Sequence, residues 1–234
     1  MARLDKSVIG KLRGAVGDVV FRQRNGKVFV SRKPQSFIPG TDKDSVDRRL
    51  KFAFSSKLSS TIYSLPDLAS LWRQAAPHGR SVYHFIVQVN IPLVNPYAVT
   101  ERTTITPPQS GSSTGSGFVI DCTSAMISPD AFNVEFAPVG NSAGIDLSRE
   151  QNAKVACVLC LTNPTDKSLP KYQFVSCVSE SKQIVLGSPL VFSIPLAGTE
   201  AAKVRTYEDK KLLCTMITLD AERKPVRYSG TVVK

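Results

Sequence analysis

The 234-residue sequence contains no apolar run near the roughly 18–20 residues that a membrane-spanning helix needs. No membrane span is therefore expected. The opening residues, Met-Ala-Arg-Leu-Asp-Lys-Ser-Val-Ile-Gly, lack the apolar core of a secretory signal. Synthesis in a cytosol is expected, with any arrival in a virion or extracellular particle following lysis or a signal-independent route. There are only two histidines, His78 and His84, and one tryptophan, Trp72. No nucleophile elbow or comparable local motif accompanies the histidines, so they read as structural or surface residues.

The five cysteines, Cys122, Cys157, Cys160, Cys177 and Cys214, are odd in number and irregular in spacing, which argues against a disulfide framework. Cys157-Val-Leu-Cys160 has the spacing of half a zinc site but has no second pair. In a strand, residues three apart point to opposite faces, so these two thiols would not converge. All five lie in apolar, strand-like runs and read as small buried hydrophobes. Gly10, Gly14 and Gly17 precede a strand and lack the Gly-Lys-[Ser/Thr] of a phosphate-binding loop. The 19 carboxylates form no motif such as D-x-D-x-D-G. No cofactor, metal, catalytic residue or small-molecule substrate is assigned, and the chain reads as a non-enzyme.

What the chain does have is positive charge, unevenly placed. The net charge is +11, and residues 1–60 hold 14 basic against 5 acidic residues, leaving only +2 for the remaining 174. A basic N-terminal region attached to a nearly neutral body suits a polyanion or an acidic protein surface. The basic set comprises Arg3, Lys6, Lys11, Arg13, Arg22, Arg24, Lys27, Arg32, Lys33, Arg48, Arg49 and Lys51.

Four parts follow along the chain. Residues 1–40 form a basic arm with a β-hairpin. Asn25-Gly26 between two β-prone runs is a strong signal for a two-residue turn, because both turn positions need positive φ. That turn sets Arg24 opposite Lys27, Arg22 opposite Phe29 and Val20 opposite Ser31, all on one face. Val19, Phe21, Gln23, Val28, Val30 and Arg32 occupy the other, mostly apolar face. A lone hairpin is marginal in water, so this apolar face needs cover.

Residues 41–98 read as helical. Val46, Leu50, Phe54, Leu58 and Ile62 recur every four residues, predicting an amphipathic helix capped by Thr41 or Asp44. Ser64-Leu-Pro-Asp67 matches a capping box and opens a second helix through Leu68, Leu71 and Trp72. Residues 81–89 fit either a third helix or a strand. Residues 99–117 are a linker rich in Ser, Thr, Gly and Pro, and the best candidate boundary. Residues 118–234 carry seven short strand patterns: 118–122, 132–136, 154–161, 172–178, 190–194, 212–218 and 226–233. The fold class expected is α+β, mainly β: a basic hairpin, two or three helices and an immunoglobulin-like antiparallel sandwich.

The stretch Gly10-Lys-Leu-Arg-Gly-Ala-Val-Gly-Asp-Val-Val-Phe-Arg-Gln-Arg-Asn-Gly-Lys27, the segment Arg32-Lys33-Pro34 and Arg48-Arg-Leu-Lys-Phe-Ala53 together resemble the start of an uncharacterised bacterial and phage-associated protein family. Members have a Gly-rich basic N-terminus, a helix and a C-terminal β-sandwich. The resemblance implies an accessory or structural role in a phage-like particle or filament and carries no catalytic residues over. The leading expectation is a structural protein that assembles with itself or other particle proteins through the hairpin. The alternative is a sequence-tolerant DNA or RNA binder. The same residues serve either interface: Arg22, Arg24, Lys27, Phe29, Arg32, Lys33, Arg48, Arg49 and Lys51.

Overall fold

The computed structural model describes residues 2–4, 14–24, 26–33, 36, 38–108, 117–140 and 144–234. Gly10, Lys6, Lys11, Arg13, Asn25, Pro34 and residues 109–116 of the Ser/Thr/Gly/Pro-rich stretch lie outside them. The chain divides into two compact units, Met1–Ser45 and Val46–Lys234. Its class is mixed α+β and mostly strand, with four helices among the described residues.

The first unit is a four-stranded antiparallel sheet of β1 (Ala2–Leu4), β2 (Gly14–Val16), β3 (Val19–Arg24) and β4 (Lys27–Arg32), in the order β1-β4-β3-β2. The β3–β4 register matches the sequence reading at every position, from Val19 opposite Arg32 to Arg24 opposite Lys27. Gly26 sits at φ 75°, as the tight turn requires. The hairpin is not alone. β2 turns into β3 through Gly17, at φ 56°, and β1 pairs with the other side of β4. On the apolar face Val28 is buried, with Val19, Phe21 and Val30 half-buried.

The second unit carries all but the first three residues of α1 (Lys43–Ser64), then α2 (Pro66–Ala75), α3 (Val82–Asn90), a 3-10 turn (Ile91–Leu93) and the two-residue strands β5 (Val94–Asn95) and β6 (Ala98–Val99). There follow β7 (Gly117–Phe118), β8 (Cys122–Ile127), β9 (Ala131–Phe136), β10 (Asn152–Pro164), β11 (Tyr172–Val178), β12 (Lys182–Gln183) and β13 (Leu190–Pro195). α4 (Gly198–Arg205), β14 (Tyr207–Leu219), β15 (Pro225–Ser229) and β16 (Val232–Val233) complete it. No described helix is long and apolar enough to cross a membrane.

These elements stack in three layers. The larger sheet runs β11-β10-β14-β15-β7, with β12 on β10 and β16 on β14. Its strands are antiparallel except for the parallel β7–β15 pair. The smaller sheet, β13-β9-β8, packs on one face of it. Phe132, Val134, Phe136, Phe192 and Ile194 from the small sheet meet Val155, Cys157, Leu159, Leu212, Cys214 and Met216 from the large one. The helices cover the opposite face. There Phe54, Leu58, Ile62, Leu68, Leu71, Trp72 and Ile86 meet Ala156, Val158, Cys160, Leu213 and Ile217. β10 and β14 are therefore buried on both faces. An unbroken apolar run such as Val155–Leu161 is what a doubly covered strand looks like in sequence.

The helix caps depart from expectation in two places, and one open reading is resolved. Asp42, not Thr41 or Asp44, caps α1: its Oδ2 accepts from the Ser45 backbone N–H at 2.9 Å. Ser64 does not cap α2. Its hydroxyl donates back to the Thr61 carbonyl at 2.7 Å, and Leu65 takes the cap position without a side-chain bond. Residues 82–90 form a helix, because Val82, Phe85, Ile86 and Val89 share one stripe against the second core. The first strand after residue 116 is split. β7 stops at Phe118, and Cys122 opens β8 instead of closing the earlier strand.

Side-chain polar contacts tie the layers together. Lys154 of β10 pairs with Asp67 of α2. Trp72 Nε1–H donates to the Ile105 carbonyl at 2.9 Å. Residues 99–108, the described part of the polar stretch before β7, are bonded into the same unit. Thr231 Oγ1 accepts from the Ile105 N–H at 2.9 Å and lies 2.9 Å from Thr104 Oγ1.

Candidate functional site

Two basic surfaces are present, one in each unit. In the first unit, β3 and β4 alternate their side chains, so Arg22, Phe29 and Lys27 stand on one face of the sheet. Arg22, Lys27, Arg32 and Lys33 are exposed and Phe29 is half-buried. Arg24 is paired with Lys27 in the ladder. Arg32 does not join it: opposite Val19, it stands on the other face. Lys33 follows β4, where its backbone N–H donates to the Asp18 carbonyl at 2.6 Å. This is a row of cations beside one aromatic ring, able to neutralise an anionic surface and offer a stacking platform.

The edge of this sheet bears on assembly. Among the described residues, nothing pairs with the outer side of β2. All three of its residues are exposed, and Val16 is 68% exposed. An uncovered edge of this kind presents free backbone N–H and C=O groups to another strand.

The second unit supplies the other surface. Arg48 and Arg49 are exposed on α1, while Lys51 is half-buried and turned toward a cleft of about 480 Å³. The cleft is also lined by Asn95, Thr100, Glu101, Arg102 and Lys211, over the buried Val94 and Val99. Its wall is fixed by threonines. Thr100 and Thr103 both donate to the Leu93 carbonyl, at 2.5 and 2.9 Å. A neighbouring cavity of about 310 Å³ shares Val99 and Lys211 and adds Thr162, Asp209 and Lys210. Three cations against one carboxylate in the first cleft suit an anionic group. Arg102 and Lys211 have no sequence signal, since they sit 51 and 160 positions after Lys51 in a near-neutral region.

Beside this region lies an aromatic cluster. Tyr172 contacts Phe54, Phe174 and Tyr97, with Lys57 over the Tyr172 ring at 5.3 Å and Lys171 over Tyr97 at 4.7 Å. Partial burial raises the Tyr172 phenol above its ordinary pKa.

His78 and His84 are both exposed, and His84 stacks edge-on against Tyr83. Neither lines the two cavities described. Cys157 and Cys160 face opposite cores, as strand alternation requires. Burial pushes the Cys160 thiol up to about 12. The remaining four cysteines, scattered in sequence, are brought together between the two sheets. Among the described residues, no group of three or more His, Cys, Asp or Glu is arranged to hold a metal ion. No protein-family model, curated protein or solved structure matches the chain.

Proposed function

We propose that this chain is a non-enzymatic assembly protein of a phage-like particle or filament, and that it self-associates through its N-terminal sheet. The observation that carries this reading is the exposed β2 edge with Val16 at its end, in the first compact unit. Strand addition at such an edge uses backbone hydrogen bonds, with alternate side chains setting specificity. Repetition of one contact yields a ring or a filament according to whether the rotation closes. The body would be an immunoglobulin-like sandwich overlaid by helices, a reading supported by its two packed sheets of mostly antiparallel strands. A cytosolic product that ends in a virion or released particle fits this role.

The test is size-exclusion chromatography with light scattering on the full chain, before and after nuclease, with absorbance read at two wavelengths. A large, nuclease-resistant species with a protein-like spectrum is expected. Val16→Lys or Val16→Pro should shift it toward monomer. An unchanged oligomer in both variants would overturn the edge-strand contact.

The second reading is a sequence-tolerant nucleic-acid binder, favoured by the exposed cations Arg22, Lys27 and Lys33 beside Phe29. It predicts a species carrying nucleic-acid absorbance that collapses to monomer after nuclease.

A further inference from the structure

The basic cleft of the second unit has a pinned wall and a charge excess that assembly through the N-terminal sheet does not use. Arg102 sits in the turn 100–103. There the Thr103 N–H donates to the Thr100 carbonyl at 3.1 Å, and the Thr100 N–H donates to Thr103 Oγ1 at 2.8 Å. Both threonine hydroxyls are anchored on the Leu93 carbonyl. One residue beyond the turn, the Thr104 N–H donates to Oδ1 of the buried Asn90 at 3.1 Å. The backbone that carries Arg102 is therefore fixed before any ligand arrives, which lowers the cost of binding.

The other cations are placed just as firmly. Lys211 stands opposite Cys160 in the β10–β14 ladder. Cys160 faces the core shared with the helices, so Lys211 projects on the helix side of the large sheet. Lys51 reaches the same cleft from α1. The floor is the β5–β6 ribbon, which contributes the buried Val94 and Val99. The turn of that ribbon holds Tyr97 at φ 70°, a conformation that side-chain-bearing residues seldom adopt. Tyr172, its ring centroid 6.0 Å away, and Lys171, over the Tyr97 ring at 4.7 Å, hold it there. Strain of this kind persists only where the surroundings over-determine it, and it clusters at ligand sites.

The charge selects the ligand. Lys51, Arg102 and Lys211 meet one carboxylate, Glu101, which leaves an excess of two positive charges. Among the described residues, none of these three cations is held in an ion pair. In the adjoining cavity Asp209 offsets Lys210, so the excess belongs to the first cleft. A phosphomonoester carries about −1.5 to −2 charge at neutral pH and presents three acceptor oxygens. A carboxylate or a phosphodiester brings a single charge and leaves one cation uncompensated. Arg102 can grip two phosphate oxygens at once, while the lysines act as point charges. At about 480 Å³ the cleft is of small-molecule size, and its valine floor suits an apolar group joined to the phosphate.

We propose that this cleft binds a small organic phosphomonoester, its phosphate held by Arg102, Lys51 and Lys211 and its organic part lying over Val94 and Val99. The site lies wholly within the second unit and is independent of assembly through the first.

Equilibrium dialysis of the full chain against phenyl phosphate, benzoate or inorganic phosphate, at low and constant ionic strength, tests this. Phenyl phosphate is expected to bind one-to-one. It should bind at least about tenfold more tightly than benzoate, which lacks the second charge, or inorganic phosphate, which lacks the apolar part. Arg102→Ala and Lys211→Ala, both at exposed positions, should each weaken phenyl phosphate by about tenfold or more. Lys167→Ala removes an exposed cation outside the cleft and should leave binding unchanged. Absence of saturable phenyl phosphate binding, equal affinity for benzoate or for inorganic phosphate, or parental affinity in both Arg102→Ala and Lys211→Ala would each overturn the proposal.

Discussion

Glu150 and Arg227 form an ion pair within the second unit, with Arg227 Nη2 2.8 Å from Glu150 Oε1. Glu150 is only 2% exposed, yet its carboxylate is well supplied. Arg227 Nε–H donates to both oxygens at 3.0 and 3.1 Å, the Thr218 hydroxyl donates to Oε2 at 2.5 Å, and the Asp146 N–H donates to Oε1 at 3.2 Å. Arg227 also bonds the Gly144 carbonyl, so the pair fastens the 144–150 loop to β14 and β15. Glu150→Ala leaves Thr218 and Asp146 short of an acceptor and Arg227 without its counter-charge. Removing one partner of such a pair costs about 3–5 kcal/mol. Denaturant midpoints of the variant and the parent check this, and Glu150→Leu with Arg227→Met should lose less than Glu150→Ala alone.

Trp72 joins α2 to the segment before β7. The indole is fully buried, and its Nε1–H meets the Ile105 carbonyl, itself in the core. Trp72→Phe keeps most of the apolar bulk but leaves that carbonyl unsatisfied, at about 1–3 kcal/mol. Trp72→Ala adds a cavity and should cost about 3–5 kcal/mol. Loss of tryptophan fluorescence prevents optical readout by that signal, so circular dichroism against denaturant is the measurement. Equal midpoints for parent and Trp72→Phe would show the hydrogen bond to contribute nothing.

Ser55 and Ser59 lie one helical turn apart on the core side of α1. Both are completely buried, and neither hydroxyl has a hydrogen-bond partner. Burying a hydroxyl without a partner is unfavourable. Ser55→Ala and Ser59→Ala remove the unsatisfied oxygen and add helix propensity. Each should stabilise the chain by about 1 kcal/mol, read as a rise in the thermal midpoint. A fall in both would mean that the hydroxyls are bonded in solution.

Local patterns in the sequence carried much of this fold. The β3–β4 register follows from turn length alone, and the Phe54, Leu58, Ile62 stripe follows from helical periodicity. β1 and β2 escaped notice because three-residue strands have too few positions to show alternation. α4 has no side-chain acceptor at its cap: Ala197 occupies that position, and only Glu200 reaches back to the Ala197 N–H at 3.2 Å. The helices' shared core with the large sheet was signalled by the unbroken run Val155–Leu161, which a sandwich open on one side would not need. The cysteines that stand opposite one another across β10, β11 and β14 were hidden for a different reason. Register between β10, β11 and β14 is a long-range property, so neighbours in space such as Cys157, Cys177 and Cys214 are distant in sequence. The cleft residues Arg102 and Lys211 share that fate.

If the basic face of β3–β4 engages nucleic acid, the contact is to phosphates and falls steeply with salt. Arg22→Glu with Arg24→Glu should abolish binding to single-stranded DNA in a fluorescence anisotropy titration. Phe29→Leu should weaken it by a stacking increment of about 1–3 kcal/mol. Arg32→Glu, on the opposite face, should change affinity less than Arg22→Glu. Equal affinity for the double variant and the parent would remove the nucleic-acid reading and leave the assembly reading unaffected.

Cys160 makes stability depend on alkaline pH. Its thiol is 2% exposed, and burial holds it at about 12 against an ordinary value of 9.0. Between those values the unfolded chain has lost this proton and the folded chain retains it. Stability falls wherever the folded state binds more protons, so this group's contribution is intact below pH 9 and declines as pH rises toward 12. Three pH units correspond to about 4 kcal/mol across the full window. Cys160→Ala abolishes that dependence at the cost of a small cavity. Denaturant midpoints at about pH 8 and about pH 10.5 should therefore separate for the parent by more than for the variant. Parallel slopes for the two proteins would place the Cys160 thiol in contact with water, by way of the neighbouring cavity that it lines with Val99 and Lys211.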